Sequence, residues 1–140
     1  LSSSATLGRG GLGAAERLSS SATGALEGAT VVAIPPADRC SGWQQAMASA
    51  VERGGVRASA FGHSALRVAT GEADAAVHLA GGPWDIAAGV TIVEEAGGRF
   101  SDLYGGRRLD TRTALFTNGH LHDEVLARAT AAASPPELRS

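Results

Sequence analysis

The sequence contains no lysine, and all 12 of its basic residues are arginine. The chain therefore has no lysine side chain that could form a Schiff base or anchor a phosphate group. It also has a single cysteine, Cys40. One cysteine excludes an internal disulfide framework and a zinc site built from several cysteines.

Long apolar runs are absent as well. No stretch of about 18 apolar residues occurs, so no membrane-spanning helix is predicted. The net charge of −2 and the pI near 6.1 provide no basic field for nucleic acid. The first residues lack the pattern of a signal peptide, and we expect a cytoplasmic location. With 140 residues, 44% of them hydrophobic, the chain predicts one globular domain whose partners include neither nucleic acid nor a membrane.

The most informative stretch is residues 81–98, a loop that turns into a helix. Gly81 and Gly82 break the preceding strand pattern, and Pro83 favours a helix start. Residues of one helix face then recur at helical spacing: Ile86, Val90, Val93 and Gly97. The pair Gly97-Gly98 ends the helix. Asp85 falls in the first turn, beside free backbone N–H groups. Its carboxylate is either a metal ligand or simply a helix cap.

Strand and helix patterns alternate along most of the chain. Strands are predicted at residues 30–34, 56–60, 74–80, 99–103 and 113–117. Helices are predicted at about residues 41–53, 62–70, 84–98 and 120–132. This alternation predicts an α/β fold with a mixed, largely parallel sheet of about five strands flanked by helices.

The same patterns assign structural roles to several side chains of the first two helices. Ser41 is predicted to cap the first helix, and Trp43 is predicted to lie in the core rather than in a site. The second helix is predicted to direct three residues inward: Leu66, Ala69 and Thr70.

Polar residues near the end of the chain are expected at the surface. His120 and His122 lie two residues apart, which is the wrong spacing for one helical face, so both are predicted to face solvent. Surface or turn positions are expected for three aspartates: Asp102, Asp110 and Asp123.

Residues 83–98, PWDIAAGVTIVEEAGG, resemble the C-terminal signature of the inositol monophosphatase family of magnesium-dependent phosphomonoesterases, which is similar to the histidinol-phosphatases. The similarity continues upstream in AFGHSALRVATGEADAAVHLAGG (60–82) and downstream in RFSDLYGG (99–106) and ALFTNGHLHDEVLARA (114–129). It implies that residues 30–133 form the C-terminal α/β domain of the family's αβαβα fold. Residues 1–29 would be an irregular N-terminal segment, the remnant hairpin of a preceding domain, and residues 134–140 a tail.

The resemblance also implies roles for individual residues. Asp85 would be a ligand of Mg²⁺, with Trp84 packed beside it as a structural residue. Gly62, His63 and Ser64 would face the substrate alcohol, although a plain capping turn is an equal alternative for that segment. His78 stands where inositol-using members have a glutamate, which puts inositol in doubt as the substrate; otherwise it is a histidine of the core or rim.

The family's other metal ligands, a glutamate and an Asp-Pro-x-Asp-Gly-Thr loop, are absent from this sequence. The chain is therefore expected to supply the C-terminal half of a phosphatase in which metal-activated water attacks a small phosphate ester. Its expected partners are that ester, an N-terminal metal-binding half on the same or another chain, and further copies of itself, as in a dimer. The isolated chain is expected to be inactive. The alternative function is that of a non-catalytic domain acting in binding or assembly.

Overall fold

The structure, a computed structural model, describes residues 24–57 and 63–133. Predictions for residues 1–23, 58–62 and 134–140 lie outside the described residues. Those predictions include the role of Gly62, the last part of the strand predicted at 56–60, and most of the irregular N-terminal segment.

Strands and helices alternate in the described ranges, as predicted. The strands are β1 (Thr30–Ile34), β2 (Val56–Arg57), β3 (Ala75–His78), β4 (Arg99–Ser101) and β5 (Ala114–Thr117). The α-helices are α1 (Gly42–Gly54), α2 (Ser64–Ala69), α3 (Pro83–Glu95) and α4 (His122–Ala132), and a short 3-10 helix covers Ala37–Arg39. Each predicted helix and strand of these ranges is present, with bounds that shift by a few residues.

The strands form one five-stranded sheet in the order β2-β1-β3-β5-β4. β1 pairs in parallel with β2 and with β3, whereas β5 pairs antiparallel with β3 and β4. The predicted mixed α/β sheet of about five strands is confirmed, and two of its four strand pairings are parallel. The parallel pairings require crossover connections, which α1 and α2 supply.

Helices cover both faces of the sheet. Alternate residues of β1 point to opposite faces, so that Val31 and Ala33 join one core cluster and Val32 joins the other. The first cluster lies against α1 and α4, and it includes Met47, Val51, Val125 and Ala129. The second lies against α2 and α3, and it includes Val68, Ile86, Val93, Phe100 and Phe116. This two-sided burial explains the nearly continuous apolar runs of the inner strands.

The first two helices differ from their predictions in side-chain detail. Ser41 occupies the N-cap position of α1, but its side chain makes no capping hydrogen bond, so that prediction is wrong. Trp43 packs against the first core cluster, as predicted. In α2 the buried residues are Ser64, Ala65, Val68 and Ala69. Of the residues predicted to face inward, Leu66 and Thr70 are exposed, because the buried stripe begins one residue earlier.

His122 is fully buried, which contradicts the prediction that it faces solvent. α4 begins at His122 rather than at residue 120, and His122 shares the inward face with Val125 and Ala129. Its Nε2 lies 2.8 Å from Ser101 Oγ, and its Nδ1 lies 2.8 Å from Thr117 Oγ1. Both ring nitrogens are therefore satisfied inside the fold. Burial is the main cause that lowers the pKa of His122 to about 4.

Asp102 lies in the turn after β4, as expected, but it is fully buried rather than at the surface. Its carboxylate accepts hydrogen bonds from three backbone N–H groups, those of Tyr104 (2.9 Å), Gly106 (2.8 Å) and Arg108 (3.1 Å). These bonds replace the solvent that the carboxylate loses and hold the loop between β4 and β5.

α2 and α3 approach each other closely at Gly89. A Cβ atom placed there would lie 2.7 Å from Phe116 Cζ and 3.0 Å from Ala65 Cβ. Only a residue without a side chain lets α3 pack this closely on both α2 and β5.

Among the helices of the described ranges, none is long and apolar enough to cross a bilayer.

We expect Gly89→Ala to lower the free energy of unfolding by about 1 kcal/mol or more, because the overpacking outweighs the gain of roughly 1 kcal/mol in helix propensity. Gly24→Ala is the control, since a Cβ atom there would meet nothing within 4 Å. Urea unfolding followed by circular dichroism measures both variants. A Gly89→Ala protein as stable as the wild type would contradict the close packing.

We also expect the fold to lose stability as the pH falls from about 6.5 to about 4. Unfolded histidine titrates near 6.5, whereas the pKa of folded His122 is about 4. Within this window the unfolded state binds more protons, so acid favours unfolding; above about pH 6.5 the stabilisation is complete. The loss is on the order of 3 kcal/mol for His122.

Urea unfolding at a series of pH values tests this expectation. In His122→Gln the dependence on pH should be shallower between pH 6.5 and 4, whatever the stability of the variant at pH 7. His78→Gln serves as the comparison, because burial also lowers the pKa of His78 to about 4. An unchanged slope in His122→Gln would show that His122 does not contribute to acid unfolding.

Candidate functional site

The candidate site lies at the carboxyl edge of the two parallel strands β1 and β3. Ile34 ends β1, His78 ends β3, and the two residues are partners in the register. α2 and α3 both begin at this edge, since His63 and Gly82 are their N-cap residues. Loops at the carboxyl ends of parallel strands are where α/β sheets bind ligands.

These elements enclose a cavity of about 300 Å³. Its volume is at the lower end of the range for pockets that bind small molecules. One part of the lining is polar and consists of His63, Ser64, His78 and Asp85. The other part is apolar or backbone, from Ile34, Ala65, Ala80, Gly81, Gly82 and Phe116. The sequence thus brings four of its five predicted site residues to one cavity, and the fifth, Gly62, lies outside the described residues.

Asp85 stands in the first turn of α3, as its position after Pro83 predicted. The N-cap residue is Gly82, which is extended (φ −81°, ψ 148°) and makes no side-chain capping bond. Asp85 is exposed, and no residue of the described ranges donates a hydrogen bond to its carboxylate. The carboxylate therefore does not make the capping bond that the sequence left open, and Asp85 borders the cavity.

Ser64 and His78 form a hydrogen bond across the cavity wall. The distance from Ser64 Oγ to His78 Nε2 is 2.5 Å, and Ser64 is almost completely buried. Phe116 packs edge-on against the His78 ring, with the ring centroids 5.5 Å apart. Burial lowers the pKa of His78 to about 4, and nearby His63 acts in the same direction while Asp85 opposes it. The His78 imidazole is therefore neutral at pH 7.

His63 has a structural task at the start of α2. Its Nδ1 accepts a hydrogen bond of 3.2 Å from the backbone N–H of Leu66. An imidazole that accepts at Nδ1 and is neutral carries its hydrogen on Nε2, and this nitrogen can only donate. His63 thus makes the predicted capping turn and also borders the cavity.

The described residues do not complete a magnesium site. Asp85 is an oxygen ligand of the kind that Mg²⁺ prefers. However, no three side chains of His, Cys, Asp or Glu in residues 24–57 and 63–133 are grouped so that they could hold a metal ion. Further oxygen ligands would have to come from outside this part of the chain.

Trp84 does not pack beside Asp85, so that prediction is wrong. The side chain is 87% exposed. On α3 it lies opposite the buried face formed by Ile86, Gly89 and Val93, because an offset of two residues turns a helix by about 200°.

Six of the ten residues that line the cavity were not predicted as site residues, and two of these, Ile34 and Phe116, come from strands of the sheet. Phe116 lies in a largely apolar, buried strand, where it is indistinguishable from a core residue, and Ile34 is the last residue of another largely apolar strand. Only the strand order, with β3 between β1 and β5, places both of them beside His78.

Comparison with known proteins gives concordant matches. The sequence profile of the inositol monophosphatase family matches residues 3–134. "Phosphatase IMPL1, chloroplastic" of Arabidopsis thaliana is 35% identical over 131 residues, which are 89% of this chain and 35% of that protein. A histidinol-phosphatase of Mycobacterium tuberculosis is 45% identical over 64 residues, which are 46% of this chain and 25% of that protein.

Solved structures show the same fold. An IMPase of Thermotoga maritima superposes with a TM-score of 0.68 at 30% identity, over 84% of this chain and 46% of that chain. An inositol monophosphatase of Zymomonas mobilis gives a TM-score of 0.71 at 17% identity, over 81% of this chain and 47% of that one, which supports the fold alone. The chain thus spans less than half the length of each of these relatives.

Proposed function

Because the chain belongs to the inositol monophosphatase family, we propose that it supplies the C-terminal half of a phosphatase that hydrolyses phosphate monoesters of small alcohols. One observation carries this proposal: the candidate metal ligand Asp85 borders the same cavity as the three side chains that the resemblance assigns to the substrate alcohol, His63, Ser64 and His78. In the reaction, water adds to phosphorus, the ester P–O bond breaks, and the alcohol leaves with a proton.

Asp85 is the residue of this chain that we assign to a bound Mg²⁺. Asp85 is exposed at the positive end of the α3 dipole, and no described residue donates a hydrogen bond to its carboxylate. The carboxylate oxygens are therefore available to bind a cation whose other ligands come from elsewhere. The remaining ligands are assigned to an N-terminal metal-binding half on the same or another chain. The exposed indole of Trp84, which precedes Asp85 in the sequence, fits a contact with that half.

The alcohol side of the substrate is assigned to the rest of the cavity. His63 offers a donor at Nε2, and the Ser64–His78 pair lies opposite the apolar wall of Ile34 and Phe116. Because burial keeps His78 neutral, we expect the cavity to recognise the alcohol by hydrogen bonds and shape rather than by an ion pair with His78. Assembly into a homo-oligomer and a cytoplasmic location stay predictions.

A second candidate function is that of a non-catalytic domain of the same fold, acting in binding or assembly. The observation in its favour is the missing ligand set, because no three His, Cys, Asp or Glu side chains of the described residues are grouped so that they could hold a metal ion. Activity of the complete protein separates the two functions.

We expect the isolated 140-residue chain to release no phosphate. One carboxylate cannot hold a catalytic pair of metal ions. The measurement is phosphate release from several monoesters with Mg²⁺ in the millimolar range, with and without a chelator. Joining the chain to the N-terminal half of the Thermotoga maritima IMPase provides the comparison, because the two structures superpose. Turnover by the isolated chain that a chelator abolishes would contradict this expectation, and an inactive but folded chimera would favour the non-catalytic role.

In a complete protein, we expect Asp85→Asn to lower kcat/KM by about 100-fold or more, equivalent to about 2.7 kcal/mol of transition-state stabilisation. Asparagine keeps the size of the side chain and removes the charge that binds the cation. The matched control is Asp110→Asn, because Asp110 is exposed and pairs with Arg108 away from the cavity. Both variants should unfold at the wild-type urea concentration. Wild-type rates in Asp85→Asn would show that the carboxylate is not a metal ligand.

A further inference from the structure

We propose that the Ser64–His78 hydrogen bond is the specificity determinant of the cavity, and that it selects an alcohol carrying a single neutral polar group, such as an amide, in preference to a polyol. The inference rests on the proposed function only in taking the cavity as the place of the substrate alcohol.

Two histidine–serine pairs of the described residues, His78–Ser64 and His122–Ser101, differ in one respect that points to a ligand. His122 is bonded at both ring nitrogens, to Ser101 and to Thr117, and is closed to solvent. His78 is bonded to Ser64 at Nε2, whereas its Nδ1 has no hydrogen-bond partner among the described residues. Nδ1 lies at the side of Gly81, 3.7 Å from where a Cβ atom on that glycine would stand, and both residues line the cavity.

A neutral His78 offers one donor and one acceptor, and Ser64 couples the two. If the Ser64 hydroxyl donates to Nε2, Nδ1–H is a donor and Ser64 Oγ keeps a free acceptor lone pair. If Nε2–H donates to Ser64 Oγ, Nδ1 is an acceptor and the Ser64 hydroxyl hydrogen is free. In both arrangements the pair presents one donor and one acceptor. Either Nδ1 donates and Ser64 Oγ accepts, or Nδ1 accepts and the Ser64 hydroxyl donates.

A single amide group matches this pair, since it also carries one acceptor oxygen and N–H donors. The fixed Nε2–H donor of His63 adds a partner for a second acceptor atom of the ligand. An anionic group fits less well, because the Asp85 carboxylate borders the same cavity.

The rest of the wall disfavours a polyol. Apart from the four polar side chains, the lining is formed by residues without a side-chain hydrogen-bonding group: Ile34, Ala65, Ala80, Gly81, Gly82 and Phe116. Each ring hydroxyl that enters without a partner loses its hydrogen bond to water and gains nothing in return. One hydroxyl too many thus weakens binding, whereas the carbon skeleton of an amide-bearing alcohol packs against this wall.

The test uses the 140-residue chain with ¹⁵N-labelled histidine and two free alcohols without phosphate, N-(2-hydroxyethyl)acetamide and myo-inositol. Titration to about 100 mM detects dissociation constants in the millimolar range. We expect the His78 nitrogen signals to move with the amide alcohol, and its affinity to exceed that of myo-inositol by about fivefold or more, the size of one hydrogen bond. The buried His122 signals serve as the internal control and should not move.

Two variants and a control make the test specific. Ser64→Ala should abolish the preference, and Thr70→Ala, which removes an exposed hydroxyl from the end of the same helix, should preserve it. His78→Glu should reverse it, because a carboxylate accepts several hydroxyl hydrogen bonds, and this variant decides the matter if Ser64→Ala does not fold.

Equal affinities of the wild-type chain for the two alcohols would overturn the proposal, as would His78 signals that move with neither alcohol. A preference that persists in Ser64→Ala, or an affinity ratio that His78→Glu leaves unchanged, would overturn it as well. A complete protein without phosphatase activity would overturn the proposed function but not a measured preference between the two alcohols.

Discussion

The parallel pairing of β1 with β3 is the constraint on which both the core and the cavity depend. Its register joins Val31 to Ala75 at one end and Ile34 to His78 at the other. Since side chains alternate along a strand, a slip by one residue would send Val31 to the wrong core cluster and turn His78 away from the cavity. The same contacts therefore stabilise the fold and place the imidazole at the edge where α2 and α3 begin.

The close approach of α2 and α3 is the second requirement. Gly89 and Ala65 let the two helices meet, and Phe116 fills the space between them and the sheet. Phe116 in turn packs on the edge of His78, so the apolar core holds the polar pair in place. The precision of the cavity follows from packing of buried residues rather than from the loops alone.

Burial gives the two buried or half-buried histidines the same lowered pKa of about 4, but their surroundings separate their roles. His122 has a hydroxyl partner on each nitrogen and ties α4 to the ends of β4 and β5. His78 lines the cavity and has one hydroxyl partner, with no hydrogen bond to its Nδ1 from the described residues. A histidine bonded at both ring nitrogens thus contributes to stability, whereas a histidine with one unbonded nitrogen can also bind a ligand.

The sequence by itself determined the alternation of strands and helices, the start of α3 at Pro83 and the position of Asp85 in its first turn, because glycine, proline and apolar periodicity act locally. The resemblance of the sequence to a known family also predicted His63, Ser64, His78 and Asp85 as site residues, which the spacing of residues alone would not have done. Only the tertiary structure decided what was distant in the chain. The pairing of strands and the choice of the helix face that meets the sheet join residues far apart in sequence. They determine that His122 is buried, that Trp84 is exposed and that Phe116 lines the cavity.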